Sequence, residues 1–426
     1  MTAIITFIIV FGVIVIVHEF GHFYFAKKSG VRVREFAIGM GPKLLQTQRN
    51  GTTYTWRILP IGGYVRMAGR ADTEEEPVQP GMPITVVITD GVVTRINLSE
   101  QEELVGGRTI TVNQIDLVDD MFIEGYWPDE EGVVRLPVDH DAEIIEADGT
   151  MVLVAPRDTH IESAKLWQRA LINFAGPMNN FLLTLILFIG LAFTLPGVST
   201  TTVDQVAKGS PAAMVGLKHN DTITEINGKK VSSWQSMQNT IQTLPNKKVA
   251  LTFERHGQTK HTTLTPKGIK NGGMMIGQIG VTSKQTTALG ARLRYGFQAT
   301  AQSMTQIFRA IKNLVQGFSL NKLGGPVAIY KNTSEVSSMG ILAIVSFMAW
   351  LSVNLGMMNL IPIPGLDGGK LLLNAVEAVI RRPVPEKAEL AVTMVGVVLL
   401  VILMIARASN KPMTKRTTYV VMQLDR

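Results

Sequence analysis

Apolar residues along this chain gather into long blocks, and the charges beside those blocks fall on alternating flanks. The first block, Ile4 to Ala26, is apolar except for a cluster at its far end; at about 1.5 Å per residue it can cross a hydrocarbon layer of about 30 Å. Lys27, Lys28, Arg32 and Arg34 follow it, whereas a secretory signal places charge before its apolar run and small residues after it. The positive flank predicts that the chain from residue 27 onward is cytoplasmic. A second span, Ala170 to Leu195, is preceded by Lys165 and Arg169 and followed by the uncharged stretch Pro196 to Val203, so it runs outward. A third is predicted at Ile341 to Ile361 and a fourth at Leu390 to Ala406, with Arg381, Arg382 and Lys387 between them on the cytoplasmic side. About four spans with both termini outside follow, weakly opposed by Lys411, Lys415 and Arg416 in the tail.

Between the spans the pattern shortens. Residues 53 to 67, Thr-Tyr-Thr-Trp-Arg-Ile-Leu-Pro-Ile-Gly-Gly-Tyr-Val-Arg-Met, read as two short strands around a Pro and Gly-Gly turn. An edge of such a membrane-associated hairpin could hold an extended peptide as an added strand, with Gly62, Gly63, Tyr64 and Val65 positioning it. The alternative is an ordinary hairpin packed on the helix ends. From Val203 to Gly228 a strand, a Ser-Pro helix start, a Gly-Leu helix end and an Asn-Gly turn follow in order and resemble a bacterial PDZ domain, a small α/β fold. That domain either binds extended peptide or filters substrates by size. Arg292 to Phe318 has helical apolar spacing with Arg294, Arg309 and Lys312, which suits a helix on the membrane surface or one packed on the PDZ-like domain.

The expected organisation is therefore 1–68, first span and hairpin; 69–165, a cytoplasmic insertion; 166–198, second span; 199–285, an extracytoplasmic PDZ-like domain; 286–335, an amphipathic linker; 336–408, third and fourth spans; and 409–426, a tail. No internal repeat links the two soluble pieces.

Composition agrees with a membrane class: of 426 residues 46% are hydrophobic, and the mean hydropathy is +0.20. The formal charge of +7, from 41 Lys and Arg against 34 Asp and Glu, is spread over loops and suits membrane flanks better than a nucleic-acid surface. With no cysteine, a disulfide framework, a thiolate metal site and a cysteine nucleophile are all excluded. Any metal must be held by His, Asp or Glu.

His18-Glu19-Phe20-Gly21-His22 supplies such ligands. In this H-E-x-x-H pattern the imidazoles sit one helical turn apart on nearly one face, as two ligands of one zinc require, and Glu19 is placed to take a proton from a water that the metal acidifies. Two histidines and a glutamate inside an apolar run cost several kcal/mol unless they pair or bind something. The alternative is a pair of neutral histidines closing the helix end. A third ligand is needed, and Asp367 is the candidate. It follows Asn359-Leu-Ile-Pro-Ile-Pro-Gly-Leu, whose prolines forbid a continuous helix, and non-helical backbone at membrane depth belongs around a cavity. The competing reading makes Asp367 the N-cap of a helix from Gly368 to Ile380.

These residues resemble the site-2 proteases, intramembrane zinc metalloproteases, and within them a Gram-positive-like bacterial branch. The similarity rests on H-E-F-G-H at 18–22, F-A-I-G-M-G-P at 36–42, L-P-I-G-G-Y-V-R-M at 59–67, A-G-P-M-N-N-F at 175–181, L-G-G-P-V at 323–327 and N-L-I-P-I-P-G-L-D-G-G at 359–369. The resemblance implies one zinc held by His18, His22 and Asp367, Glu19 as catalytic base, and Asn359 near the substrate backbone. It also implies substrates that are single-span membrane proteins, such as anti-sigma factors after a first cut, or remnant signal peptides. A membrane metal transporter or sensor explains the histidines but not Glu19. A scaffold using only the PDZ-like part leaves the ligand set without a purpose, and a zincin facing water would not place its motif at the end of a span.

Overall fold

The computed structural model describes residues 2–69, 78–99, 103–271, 274–316 and 333–382, with positions 384, 385, 394 and 398. The main helices in chain order are α1 (Thr2–Lys28), α2 (Leu166–Thr194), α3 (Trp234–Gln242), α4 (Leu289–Gln316), α5 (Ile341–Asn359) and α6 (Asp367–Ile380). The chain forms two compact units, Met1–Phe181 with Ile307–Arg426, and Leu182–Gln306. Among the described residues, three helices are long and apolar enough to cross a membrane: α1, α2 and α5. The fourth expected span, Leu390 to Ala406, lies almost entirely outside the described residues. The third ends at Asn359, two residues before its expected end, because Pro362 and Pro364 lack amide hydrogens and push the residues before them out of helical backbone.

In the first unit, β1 (Val33–Arg49) and β2 (Thr52–Met67) are long strands that bend and interleave. Val33–Ile38 pairs antiparallel with Gly63–Met67 on one side, and on its other side with Thr53–Trp56, where residue numbers rise together. Thr53–Arg57 pairs in turn with Lys43–Gln48. The two short strands expected in 53–67 are therefore present, but they flank β1 instead of forming a hairpin with each other. Among the described residues their order leaves Gly63–Met67 as an outer strand. The connections cross at one end of the sheet, where Met40 faces Leu59, and that end exposes Met40, Leu44, Leu45, Trp56, Ile58 and Leu59. A buried carboxylate ties the layers together: Glu35 accepts hydrogen bonds from Thr55 Oγ1, Arg57 Nη2 (2.7 Å) and Tyr64 OH (2.7 Å). Burial, and then the bond to Glu35, push the Tyr64 phenol well above its ordinary value, so it stays protonated and donating.

The insertion after this sheet folds into β3 (Pro83–Thr89), β4 (Val92–Asn97), β5 (Arg108–Asp116), β6 (Phe122–Tyr126), β7 (Val133–Ile145) and β8 (Met151–Leu153), ordered β4-β3-β5-β6-β7-β8. A parallel pairing of β4 with β7 closes five strands into a ring around Ile84, Val93, Ile96, Ile110, Ile123 and Ile144, all at most 2% exposed. β8 docks on the first sheet. Arg34 Nε donates to Leu153 O, Thr53 Oγ1 donates to Met151 O, and Glu146 pairs with both Arg34 and Arg66.

The second unit holds β9 (Val198–Val206), β10 (Thr222–Ile226), β11 (Lys229–Lys230), β12 (Val249–Arg255), β13 (Gln258–Leu264), β14 (Lys267–Asn271), β15 (Met274–Gln278) and β16 (Val281–Thr286). Its main sheet runs β13-β12-β10-β9-β16, over a core that includes Val203, Ile223, Met237, Leu251 and Phe253. The local signals read from sequence are in place. Ser210 caps the short helix Pro211–Met214 by accepting from Ala213 N, and Asn227 and Gly228 both take the positive φ of a tight hairpin. Within this unit α4 packs on α2: a Cβ on Gly296 would sit 2.3 Å from Ile189, and Arg292 donates to the carbonyls of Phe193 and Leu195 at the helix end.

Asp221 is solvent-inaccessible and accepts two bonds of 2.7 Å from Arg255 and one of 2.7 Å from Lys218 N. Desolvation works against its charge, but these donors outweigh it and hold the carboxyl below the ordinary range. Asp221→Ala is expected to cost about 3 kcal/mol, the lower end for stranding one partner of a buried pair, because Arg255 reaches solvent. In wild type the folded form binds this proton more weakly than the unfolded one. Its contribution is thus complete above the unfolded value of about 3.9 and is lost as pH falls through the folded value. Thermal unfolding followed across that window, wild type against variant, measures both effects.

Candidate active site

The H-E-x-x-H segment lies two-thirds of the way along α1, where the helix meets α2 without side chains between them. A Cβ on Gly21 would lie 2.3 Å from Ala175 O, so the backbones touch. One residue on, a Cβ on Gly176 would sit 2.3 Å from His22 Nε2, 2.7 Å from His18 Cε1 and 2.8 Å from His18 Nε2. The imidazoles fill the space that glycine leaves.

Each ring is held from behind. His22 Nδ1 is 2.8 Å from Ile172 O, a partner that only accepts, so this nitrogen carries the proton and Nε2 presents its lone pair. His18 Nδ1 is 3.1 Å from the side-chain amide of the fully buried Asn180. The amide nitrogen Nδ2 is the nearer atom; only with the amide turned over, its oxygen toward the ring, would Asn180 accept Nδ1–H and free Nε2 in the same way. Asn179 Nδ2 donates to Val17 O, and Ser352 Oγ donates to Asn180 O, which joins α1, α2 and α5 around the rings.

Asp367 completes the group. It is the first residue of α6, and the cap position belongs to Leu366, which makes no side-chain capping bond. The N-cap reading of Asp367 is therefore not what the geometry contains. Gly368 and Gly369 let the start of α6 tuck under the turn: Cβ atoms there would meet Ile361 O at 2.3 Å and Ile363 O at 2.5 Å. The result aims Asp367 at the histidines. Its Oδ2, buried and without a hydrogen-bond donor, lies 3.3 Å from His18 Nε2 and 3.4 Å from His22 Nε2, and the two Nε2 atoms are 3.4 Å apart. Among the described residues this is the one cluster with metal-ligand spacing. Tetrahedral zinc with bonds of about 2.0–2.1 Å needs ligands about 3.3–3.4 Å apart, so these residues fit that ion.

The other expected residues fall at graded distances. Glu19 is half-buried on the same turn, one residue from His18. Asn359, the last residue of α5, brings Nδ2 to 3.5 Å from His18 Nε2. Gly62 takes φ +84° beside Met40. A Cβ on Gly63 would meet Ala37 O at 2.7 Å and Val15 at 3.6 Å, which sets the outer strand against α1 about one turn before His18. The Tyr64 side chain is spent on Glu35, and Val65 packs against Ala26, Val31, Val33 and Ile172. Gly176, Asn180 and Ser352 carry no role that the sequence alone shows. The A-G-P-M-N-N-F run carries the first two, but nothing in its spacing tells which helix it faces.

Residues 6–403 match peptidase family M50. The chain is 47% identical over 411 residues to a probable protease, Eep, from Enterococcus faecalis, covering 95% of this chain and 97% of that one. It is 44% identical over 418 residues to a putative zinc metalloprotease of Streptococcus pneumoniae serotype 4, covering 96% and 98%. Part of the chain is similar to the PDZ domain of an SdrC-like protein from Listeria monocytogenes, at 24% identity over 20% of this chain and 87% of that structure, with a TM-score of 0.18. A family match along nearly the whole chain, joined to a buried donor set of zinc dimensions on apolar helices, has one reading: this protein belongs to peptidase family M50, the site-2 proteases, and is a zinc metalloprotease of the membrane.

Proposed function

We propose that the enzyme cleaves single-span membrane proteins inside or at the edge of their spanning segment, with His18, His22 and Asp367 as the zinc ligands and Glu19 as the general base. The observation that carries the ligand assignment is the triangle of 3.3, 3.4 and 3.4 Å formed by three donor atoms whose other contacts leave them facing one another. Zinc held there supplies a Lewis acid for the scissile carbonyl and makes water acidic enough to attack near neutral pH. Glu19 accepts the proton of the attacking water and returns it to the leaving amide nitrogen. Asn359, beside His18, offers its amide to the substrate backbone.

A peptide bond in a helix is screened by its own hydrogen bonds, so the substrate must be drawn out before attack. Gly63–Met67 supports a way to do this. Among the described residues it is paired on one side only, and its glycine end lies against α1. The free side takes the unwound segment as an added strand. Val65→Pro is expected to lower cleavage of a truncated single-span substrate about tenfold or more while zinc content stays at one per chain; unchanged cleavage in reconstituted vesicles would count against edge pairing. On this reading the active site lies toward the cytoplasmic side of a multi-pass protein, and the PDZ-like domain, 199–285, stands outside as a size filter or a peptide-binding module. The 69–165 insertion steadies the substrate-binding sheet through β8. The physiological substrate is to be found among anti-sigma factors trimmed by a first cut and remnant signal peptides.

A further inference from the structure

The charged end of α1 borders an open groove of about 600 Å³, lined by Phe23, Tyr24, Lys27, Lys28, Asn50 and Tyr54. None of these residues has a place in the peptidase chemistry. We propose that the groove is a binding site for the headgroup of an anionic phospholipid.

Charge is the first reason. Lys27 Nζ donates to Asn50 O at 2.6 Å and Thr52 Oγ1 at 3.0 Å, both neutral, which among the described residues leaves one ammonium hydrogen and the whole charge uncompensated. Lys28 is exposed, with its ammonium 5.9 Å from the centre of the Tyr24 ring. Among the described residues neither lysine pairs with a carboxylate, and no acid lines the groove. Two adjacent cations, one of them half-buried, favour an anion with several acceptor oxygens, and a phosphodiester has that form.

Position is the second reason, and it selects a lipid. Apart from His18, Glu19 and His22, α1 is largely apolar up to this point, and its lysines extend to the polar layer as snorkelling side chains do. The interleaved sheet runs alongside in the opposite sense: its Asn50–Gly51 turn is held by Lys27, while the other end, near Gly63 and Val15, exposes the apolar cluster around Met40 and Leu59. The groove thus lies where apolar surface gives way to polar surface on both elements. Tyr24 and Tyr54 present rings and hydroxyls at that level, as aromatic residues do at a membrane interface. A glycerol backbone would rest on Phe23 and Tyr54, whose rings are 6.0 Å apart. His22 precedes Lys27 by five residues, about 7–8 Å along the helix, so a captured headgroup would hold the metal-ligand turn at a set depth below the surface.

The test uses the full chain, purified in a neutral detergent and mixed with phosphatidylglycerol or phosphatidylcholine, with bound lipid counted by native mass spectrometry. Wild type is expected to retain phosphatidylglycerol in preference. At roughly fivefold per lysine, the Lys27→Gln, Lys28→Gln double variant should bind it about 30-fold more weakly. The Lys27→Arg, Lys28→Arg variant should retain it, and zinc content and circular dichroism report whether each variant is folded. Should the double variant misfold, Lys28→Glu, which alters only an exposed ammonium, is read in its place. Equal retention of both lipids by wild type, or unchanged retention by the glutamine or glutamate variants, overturns the site. Displacement by millimolar glycerol phosphate as effective as displacement by the lipid itself would assign the groove to soluble phosphate and overturn the lipid.

Discussion

Replacing Gly176 with alanine is expected to strip the protein of zinc and of peptidase activity together. The added methyl group would lie 2.3 Å from His22 Nε2 and under 3 Å from two atoms of the His18 ring. Real carbon atoms do not approach so closely, and neither ring can step aside without breaking the contact of His22 with Ile172 or of His18 with Asn180. Even a lost supporting bond lowers metal affinity by about 10–100-fold; direct displacement of two donors should exceed ~100-fold. Gly190, on the same helix, has nothing within 4 Å of its Cβ position, so Gly190→Ala is the matched control and should keep both zinc and activity. Metal analysis after dialysis, beside cleavage of a truncated single-span substrate, separates the two variants. Stoichiometric zinc with wild-type cleavage in Gly176→Ala would remove this packing from any account of the site.

Glu19→Gln should divide what the first change combines. The amide keeps the size of the carboxylate and is not among the three donors that face one another, so zinc is expected to remain at one per chain. What disappears is the proton acceptor. Positioned general bases contribute typically ~10²–10⁴-fold, and cleavage should fall by at least that factor. Retained cleavage would end the assignment of Glu19 as base, and loss of zinc would show that its carboxylate holds the metal site together. The same pair of readings distinguishes a peptidase from a metal transporter, which has no need of a base.

The chemistry of this protein was legible in the sequence because it is written in short-range patterns. Helical periodicity alone puts His18 and His22 on one face, and the apolar run around them gives buried ionisable groups a functional meaning. The two prolines ahead of Asp367 likewise announce the helix break that the structure contains between Asn359 and Asp367. The strand, helix and turn signals from Val203 to Gly228 appear where local rules put them.

What the sequence left open was which of two locally acceptable partners each segment takes. An aspartate at a helix start serves equally as cap or ligand, and only the packing of Gly368 and Gly369 under residues 360–364 turns Asp367 toward the histidines. Residues 53–67 read as two strands in either case; that β1 lies between them, leaving Gly63–Met67 as an outer strand, follows from pairings over long sequence separations that no local pattern encodes. The insertion gave no fold signal strong enough to read, since its ring closes through a parallel contact between β4 and β7 that depends on the whole set of strands. Gly176 and Asn180 belong to the same class. A glycine in an apolar helix is ambiguous until another helix lies against it, because the information is the missing Cβ and the atoms that occupy its place. The sequence by itself thus determined the candidate reagents, two histidines, a glutamate and a helix break carrying an aspartate; the tertiary structure decided their distances, through contacts between residues 150 and 341 apart in the chain.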